Sequence, residues 1–312
     1  MTLSGAINTL LKKSSNPIIS WKPTGRFQRT IRRCVELSGK GLHSGKHSTV
    51  RLWPELAGRG RHFHFETNTG CSVSIPASID YAQQSPLCTA LLRDGVRVRT
   101  VEHLLSALEA TGVDNCRIQI IDSEPGGEPD FEVPLLDGSA KEWVRAVEEV
   151  GLVDAEDERG SMSEKLAPYL DQPVHVCKND AFITAFPSPS IRLTYGIDFP
   201  QVSAIGSQWC SFSLQDDSSY VSSIASARTF CVYQEVEYMR SSGLIKGGSL
   251  DNALVCSSSK GWLNPPLYFP DEPCRHKILD LIGDFSLFAK FGNQGLPVAH
   301  IVAYKACFLH FV

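Results

Sequence analysis

In the run RHKILDLIGD (275–284), His276, Asp280 and Asp284 recur every four residues. On a helix that spacing sets them in one stripe. A His/Asp pair at i,i+4 can bring an imidazole nitrogen and a carboxylate oxygen to one metal ion, by the spacing logic of the paired histidines of a zinc-protease helix. The same spacing also describes a solvated helix face. A second pair, Glu102-His103, opens the run TVEHLLSALEA at 100–110. Adjacent helical side chains diverge by roughly 100°, so the two cannot both point straight at one ligand. They can still flank an ion if the histidine coordinates it and the carboxylate approaches its water from the side. Two ligands from one part of the chain, one from another and an open fourth position form the pattern of a catalytic zinc site.

Other chemistry-bearing groups fall away on inspection. The ten cysteines contain no C-x-x-C, which excludes zinc ribbons and thioredoxin-like pairs and leaves free thiols in a reducing compartment. The glycine-rich stretch 39–46 resembles a phosphate loop, but Lys40 stands where the first glycine is needed and His47 where Ser or Thr should follow the lysine. A hairpin turn carrying His43 describes it better. His62 and His64 share a strand face with no third ligand beside them, and His175 and His300 sit in apolar strand patterns of core or edge type.

These residues need elements to hold them. Val101, Leu104, Leu105 and Leu108 follow a 3.6-residue period, with Thr100 as a helix N-cap and Gly112 as a stop. Residues 113–122 read as a strand, and a second amphipathic helix is expected from Ser139 to about Val150. The acid-rich segment 154–166 is a domain boundary. Beyond it, 174–177, 181–186 and 191–197 read as a strand meander, 275–290 as a helix with Ile278, Leu279, Ile282, Phe285 and Phe288 buried, and 298–304 as a final strand. Each half thus carries a helix bearing acids and histidine, then a hydrophobic strand. That self-similarity predicts two similar α+β domains facing each other across a cleft.

At 312 residues, 42% hydrophobic and 21% charged, the chain is globular in composition. Its net charge of -4 argues against an overall grip on nucleic acid. No apolar run approaches the roughly 20 residues of a membrane span. Before Glu36 there is no acidic residue, while Lys12, Lys13, Lys22, Arg26, Arg29, Arg32 and Arg33 are basic and Leu3, Ile7, Leu10 and Leu11 follow helical spacing. Residues 1–26 therefore read as a transit peptide, mitochondrial in type.

The motifs GKGLHSG (39–45), LCTALL (87–92), GVRVRTVEHLLSAL (95–108), VPLLDGSA (133–140), SARTF (226–230), GLIKGGSLDNALV (243–255) and RHKILDLIGDF (275–285), taken in order, resemble the zinc-dependent UDP-3-O-acyl-N-acetylglucosamine deacetylases of lipid A biosynthesis. The resemblance spans about residues 28–305 and implies two two-layer α/β-sandwich domains, 27–153 and 167–312, with the active site in the cleft between them. Carried over position by position, it implies His103, His276 and Asp280 as zinc ligands and Glu102 as the general base. Thr229 would be an oxyanion-stabilising hydroxyl, and Lys277 a cation at the substrate. Asp284 would orient a catalytic histidine, and His43 and Phe230 would lie at the substrate. It further implies a UDP-activated acylated glucosamine as substrate, with the acyl chain passing near residues 238–253. An organelle-targeted plant member is the expected source.

The sequence departs from the family pattern at its last strand. Tyr304-Lys305-Ala306 fits, but Cys307 replaces a glycine and Phe308 stands where the family has the histidine that protonates the leaving amine. The abrupt loss of match resembles an altered ending. His310, two residues on, would lie on the same strand face roughly 7 Å further along. Two rivals follow: a catalytically impaired relative that binds zinc and nucleotide sugar, and a non-enzymatic interaction protein.

Overall fold

The computed structural model describes residues 18–66, 72–83, 85–122, 129–214, 217–264 and 266–306. Cys307, Phe308 and His310 lie outside the described residues, as does the 1–17 part of the expected transit peptide. The first half contains β1 (Ile19–Phe27), β2 (Arg29–Ile31), β3 (Val35–Lys40), β4 (His47–Pro54), β5 (Arg61–Glu66), β6 (Ser72–Pro76), β7 (Ala82–Gln83), β8 (Ala90–Arg93), β9 (Val96–Arg99), α1 (Glu102–Ala110), β10 (Cys116–Asp122), β11 (Asp130–Glu132), α2 (Lys141–Val150) and β12 (Leu152–Asp154). The second half contains β13 (Glu164–Leu170), β14 (Val174–Lys178), β15 (Ala181–Pro187), β16 (Arg192–Phe199), β17 (Gly206–Ser213), α3 (Asp217–Ser223), β18 (Phe230–Val232), α4 (Tyr233–Ser241), β19 (Leu254–Ser257), β20 (Gly261–Trp262), α5 (Glu272–Phe285) and β21 (Ala299–Tyr304).

Two five-stranded sheets dominate, ordered β3-β4-β10-β5-β6 and β14-β15-β21-β16-β17. Position by position they pair alike: every neighbour is antiparallel except β10 with β5 and β21 with β16, which are parallel. Each central strand follows a helix, α1 before β10 and α5 before β21. The expected α+β architecture of two similar layers of helix and sheet is therefore present. The meander expected over β14–β16 is corrected at one place, since β21 enters between β15 and β16. Local hydrophobic alternation specifies strands but not which distant strand fills the central slot.

The alternation on each sheet directs one face inward. In β5, Arg61, Phe63 and Phe65 are buried while His62 and His64 are half-buried. In β21, Ala299, Ile301 and Ala303 are buried and the residues between them are not. Helix α1 is buried on every side, including Glu102, His103 and Glu109. Such a helix belongs between layers rather than on a surface. It packs against α5, and Gly283 of α5 permits the close crossing, because a Cβ there would strike the Glu102 carbonyl oxygen. Beside this seam, within the first half, Arg61 of β5 and Glu109 of α1 pair at 2.5 Å, both buried. Glu109 also accepts the Gly295 and Leu296 backbone N–H groups at 2.9 and 2.7 Å, tying α1 to the segment that leads into β21.

Three expected boundaries move. The transit peptide was expected to reach residue 26, but Ile19–Phe27 is a strand paired antiparallel with β13, from Ile19↔Leu170 to Phe27↔Glu164. The fold thus begins at least eight residues earlier, and β13 takes up the end of the expected 154–166 boundary. Thr100 is not the N-cap of α1: that helix is entered through Val101 without a side-chain cap, and Thr100 sits at φ 59° with its hydroxyl on Glu132. Helix α2 starts at Lys141, two residues after Ser139, whose hydroxyl accepts the Lys141 N–H.

Candidate active site

Helices α1 and α5 cross with their polar residues turned toward one another, so the stripe on α5 is not a solvated face. His276 is 1% exposed and His103 5% exposed. Their rings stand edge to face with centroids 4.9 Å apart. Asp280 Oδ1 lies 3.5 Å from His103 Nε2 and 3.4 Å from His276 Nε2. One ligand atom from each of the three residues falls within 4.8 Å of the others, the one such group among the described residues.

The donor chemistry fits a divalent metal ion. His276 Nδ1 donates to the Ala227 carbonyl at 2.9 Å, which leaves Nε2 as a free lone pair facing the cluster. Burial pushes the His276 imidazole down to about 4, so it is neutral at pH 7. Burial alone would raise Asp280, but His276, Lys277 and His103 outweigh it and hold the carboxyl well below the usual carboxylate range. Asp280 Oδ1 is buried and takes no hydrogen bond. A buried carboxylate oxygen without a donor is costly, and a cation shared with two imidazoles removes that cost. His103, His276 and Asp280 are thus the residues that could hold a metal.

Around this group stand the other expected residues. Glu102 Oε2 accepts the Thr89 N–H at 3.1 Å. Burial, followed by the proximity of Cys88, Asp280 and Asp284, raises Glu102 well above the usual carboxylate range. Asp284 accepts the Thr89 hydroxyl at 2.6 Å, and burial pushes it up to about 7 against that hydrogen bond. Glu102, Lys277, Asp280 and Asp284 line one small cavity with Leu87, Cys88 and Thr89. Lys277 Nζ bonds Asp280 Oδ2 at 2.9 Å and lies 5.8 Å from the Phe230 ring centroid.

The segment SARTF is laid along α5 by its neighbours' contacts. Ala227 receives the His276 bond, and Arg228 pairs with the fully buried Glu272 at 2.8 Å. Thr229 has its backbone fixed on both sides, its N–H on Gly138 O and its carbonyl accepting the Leu254 N–H. His43 reaches the second half of the chain through Nδ1, which donates to the Leu244 carbonyl at 2.8 Å. Its Nε2 is buried with no hydrogen-bond partner, and burial lowers its pKa despite the nearby Glu132.

Two residues with clear structural duties carried no assignment in the sequence. Thr89 touches both Glu102 and Asp284, while Glu132 accepts the His43 and Ser44 N–H groups at 2.7 and 2.9 Å and the Ser44 and Thr100 hydroxyls. Both lie inside or beside quoted motifs, but their partners are far away in sequence. Leu87, at φ 64°, and Thr100, at φ 59°, flank this arrangement. Such left-handed non-glycine residues cost of order 1–3 kcal/mol and persist where surrounding contacts over-determine them. Three further described histidines have partners elsewhere: His62 faces Glu55 at 3.5 Å, His175 bonds Thr184 and His300 bonds Thr194.

Comparison with known proteins gives one consistent result. The family model described as UDP-3-O-acyl N-acetylglycosamine deacetylase (LpxC) matches residues 28–310. A protein of Arabidopsis thaliana named probable UDP-3-O-acyl-N-acetylglucosamine deacetylase 1, mitochondrial, is 60% identical over 293 residues, covering 94% of this chain and 88% of the relative. UDP-3-O-acyl-N-acetylglucosamine deacetylases of Thermosynechococcus vestitus and a Nostoc species are 47% and 46% identical over 279 and 282 residues, covering 89% of this chain and 89% and 93% of the relatives.

Proposed function

The chain belongs to the UDP-3-O-acyl N-acetylglycosamine deacetylase family, and from that premise we propose that it is a zinc-dependent amide hydrolase. It removes the N-acetyl group of a UDP-3-O-acyl-N-acetylglucosamine, releasing acetate in a lipid A-type pathway. The observation that carries this reading is the convergence of His103, His276 and Asp280 from two distant helices, with an unbonded carboxylate oxygen at its centre. Two imidazoles and a carboxylate with an open position suit catalytic zinc. When bound, zinc supplies Lewis acidity that polarises the amide carbonyl and makes a water acidic near neutral pH.

Glu102 takes the proton from the attacking water. Its raised pKa suits a group that must bind and release a proton near neutrality, and the Thr89 N–H fixes its orientation. The Thr229 hydroxyl donates to the oxygen on which charge develops in the transition state. Lys277, near the Phe230 ring, adds a positive charge at the substrate, which His43 would also contact, and Asp284 is held by the Thr89 hydroxyl. The reading also includes a mitochondrial location, in keeping with the acid-free basic N-terminus and the names of the plant relatives. It includes no nucleic-acid partner. Among the described residues no helix is long and apolar enough to cross a membrane.

Acetate release from the acylated UDP-sugar, measured alongside metal content, tests the proposal. Glu102→Ala is expected to abolish turnover while metal content stays unchanged; turnover at the unsubstituted rate refutes the base assignment. A second reading, an impaired relative that still binds zinc and nucleotide sugar, is favoured by Phe308 at the position of the family's proton-donating histidine. Restoring that group with Phe308→His is expected to raise acetate release by about 10²–10⁴, the usual contribution of a general acid. Equal rates for the two chains remove the second reading.

A further inference from the structure

One buried carboxylate of the first half organises a turn to which the chemistry above gives no duty. Glu132 of β11 is 5% exposed. Its Oε1 accepts the His43 N–H and the Thr100 hydroxyl, and its Oε2 accepts both the N–H and the hydroxyl of Ser44. All four donors are neutral groups drawn to one shared negative charge. Gly41 lets the turn close over the carboxylate, because a Cβ there would strike Glu132 Oε2. The Gly45 N–H then bonds the Gly41 carbonyl at 3.1 Å and shuts the turn.

The outer side of this turn grips the second half. The Leu42 carbonyl accepts the Lys246 and Gly247 N–H groups at 3.0 and 2.9 Å, beside the His43 bond to Leu244. Gly247 has no room for a side chain, since a Cβ would meet the Gly41 carbonyl oxygen. From there the contacts run on to Thr229. The Gly247 carbonyl accepts the Asn252 side-chain amide at 3.0 Å, and Asn252 Oδ1 accepts the Ser249 N–H at 2.8 Å. The Asn252 carbonyl oxygen lies where a Cβ on Gly138 would stand, and the Gly138 carbonyl accepts the Thr229 N–H at 2.7 Å. Two residues further, the Leu254 N–H bonds the Thr229 carbonyl, also at 2.7 Å. Thr229 thus sits between Gly138 and a segment that the Glu132 turn pins.

We propose that Glu132 is a positioning residue for the Thr229 hydroxyl, acting through the turn 41–45 and the segment 244–254. This rests on the hydrolase reading for what Thr229 does, but not for what holds it. A donor aimed at developing charge is worth about 10²–10³ in rate, and displacing it by about 1 Å from a remote support can cost about 10². Glu132→Gln tests the proposal, because its amide NH2 must face a backbone N–H whichever way it lies. It is expected to lower kcat for acetate release by about tenfold or more, with KM within about twofold and metal content unchanged. That pattern marks an interaction made only in the transition state. In a Thr229→Val chain the same change is expected to cost less than about twofold, since the group it positions is gone. Gly247→Ala opens the latch from the second half with Glu132 intact, and is expected to repeat both results even if Glu132→Gln fails to fold. In either variant the Lys246 and Leu254 amides are expected to exchange about tenfold faster or more. Additive losses in the cycle with Thr229→Val overturn the proposal, as do a loss carried by KM or metal content and amides that stay protected in Gly247→Ala. Absence of acetate from every chain, Phe308→His included, refutes the hydrolase reading instead, and exchange at Leu254 then decides whether the turn holds the Thr229 segment.

Discussion

The two halves of the molecule share a sheet order and a pairing pattern, yet they divide the chemistry unequally. The first half contributes His103 and the adjacent Glu102 from a helix that is buried on all sides. The second contributes His276, Asp280, Lys277 and Asp284 from a longer helix that meets it at Gly283. The difference is one of geometry. A single buried turn can present one ligand and a neighbouring base diverging from it, whereas a 14-residue helix of nearly four turns with residues at i, i+4 and i+8 presents a whole row. Neither half holds a metal set alone, so the seam between helices is itself part of the site.

That division can be broken or sharpened experimentally. The largest expected effect comes from the ligands. His276→Ala, which removes a fully buried donor from the row, is expected to eliminate stoichiometric metal by elemental analysis, and His103→Ala is expected to do the same. Full occupancy in His103→Ala would mean that the second half binds metal by itself, contrary to the shared site. Next comes the buried ion pair behind the seam, which anchors α1 on its own sheet. Arg61→Met leaves Glu109 buried without its cation and is expected to cost about 3–5 kcal/mol in denaturant unfolding. Arg61→Met with Glu109→Leu should recover part of that loss, and a cost under about 1 kcal/mol for the single change would show that the pair does not hold the helix that carries His103. The smallest effect is expected from Gly283→Ala, which forces α5 away from the Glu102 carbonyl. Overpacking of this kind costs about 1–3 kcal/mol, and here it should also weaken metal retention because the ligands sit on both sides of the gap. Unchanged metal retention would mean that the helix spacing is not what sets the ligand geometry.

Much of this arrangement was legible in residue order. The 3.6-residue period of Leu104, Leu105 and Leu108 marked α1, the four-residue spacing of His276, Asp280 and Asp284 marked one face of α5, and the self-similar pattern of the halves anticipated two like sheets. What failed did so for identifiable reasons. Thr100 has the right residue type for a cap, but its hydroxyl is taken by the buried Glu132 from another strand. The basic stretch through residue 26 has a presequence's composition, yet β13 offers Ile19–Phe27 a ladder of backbone hydrogen bonds that composition does not register. Thr89 and Glu132 escaped because their partners lie in other elements, so that no local spacing marks them.

By itself the amino-acid order marked the principal helices and several strands, which side chains carry donor atoms at coordinating spacing, and which family the motifs resemble. These are properties of periodicity and residue type, and they act over a few turns or strand lengths. The tertiary structure alone decided that His103 faces Asp280 across 177 positions, that β21 enters between β15 and β16, and that Asp280 Oδ1 is left without a donor. Burial and chain crossing between remote segments set those outcomes, and they depend on how whole layers pack rather than on any local preference.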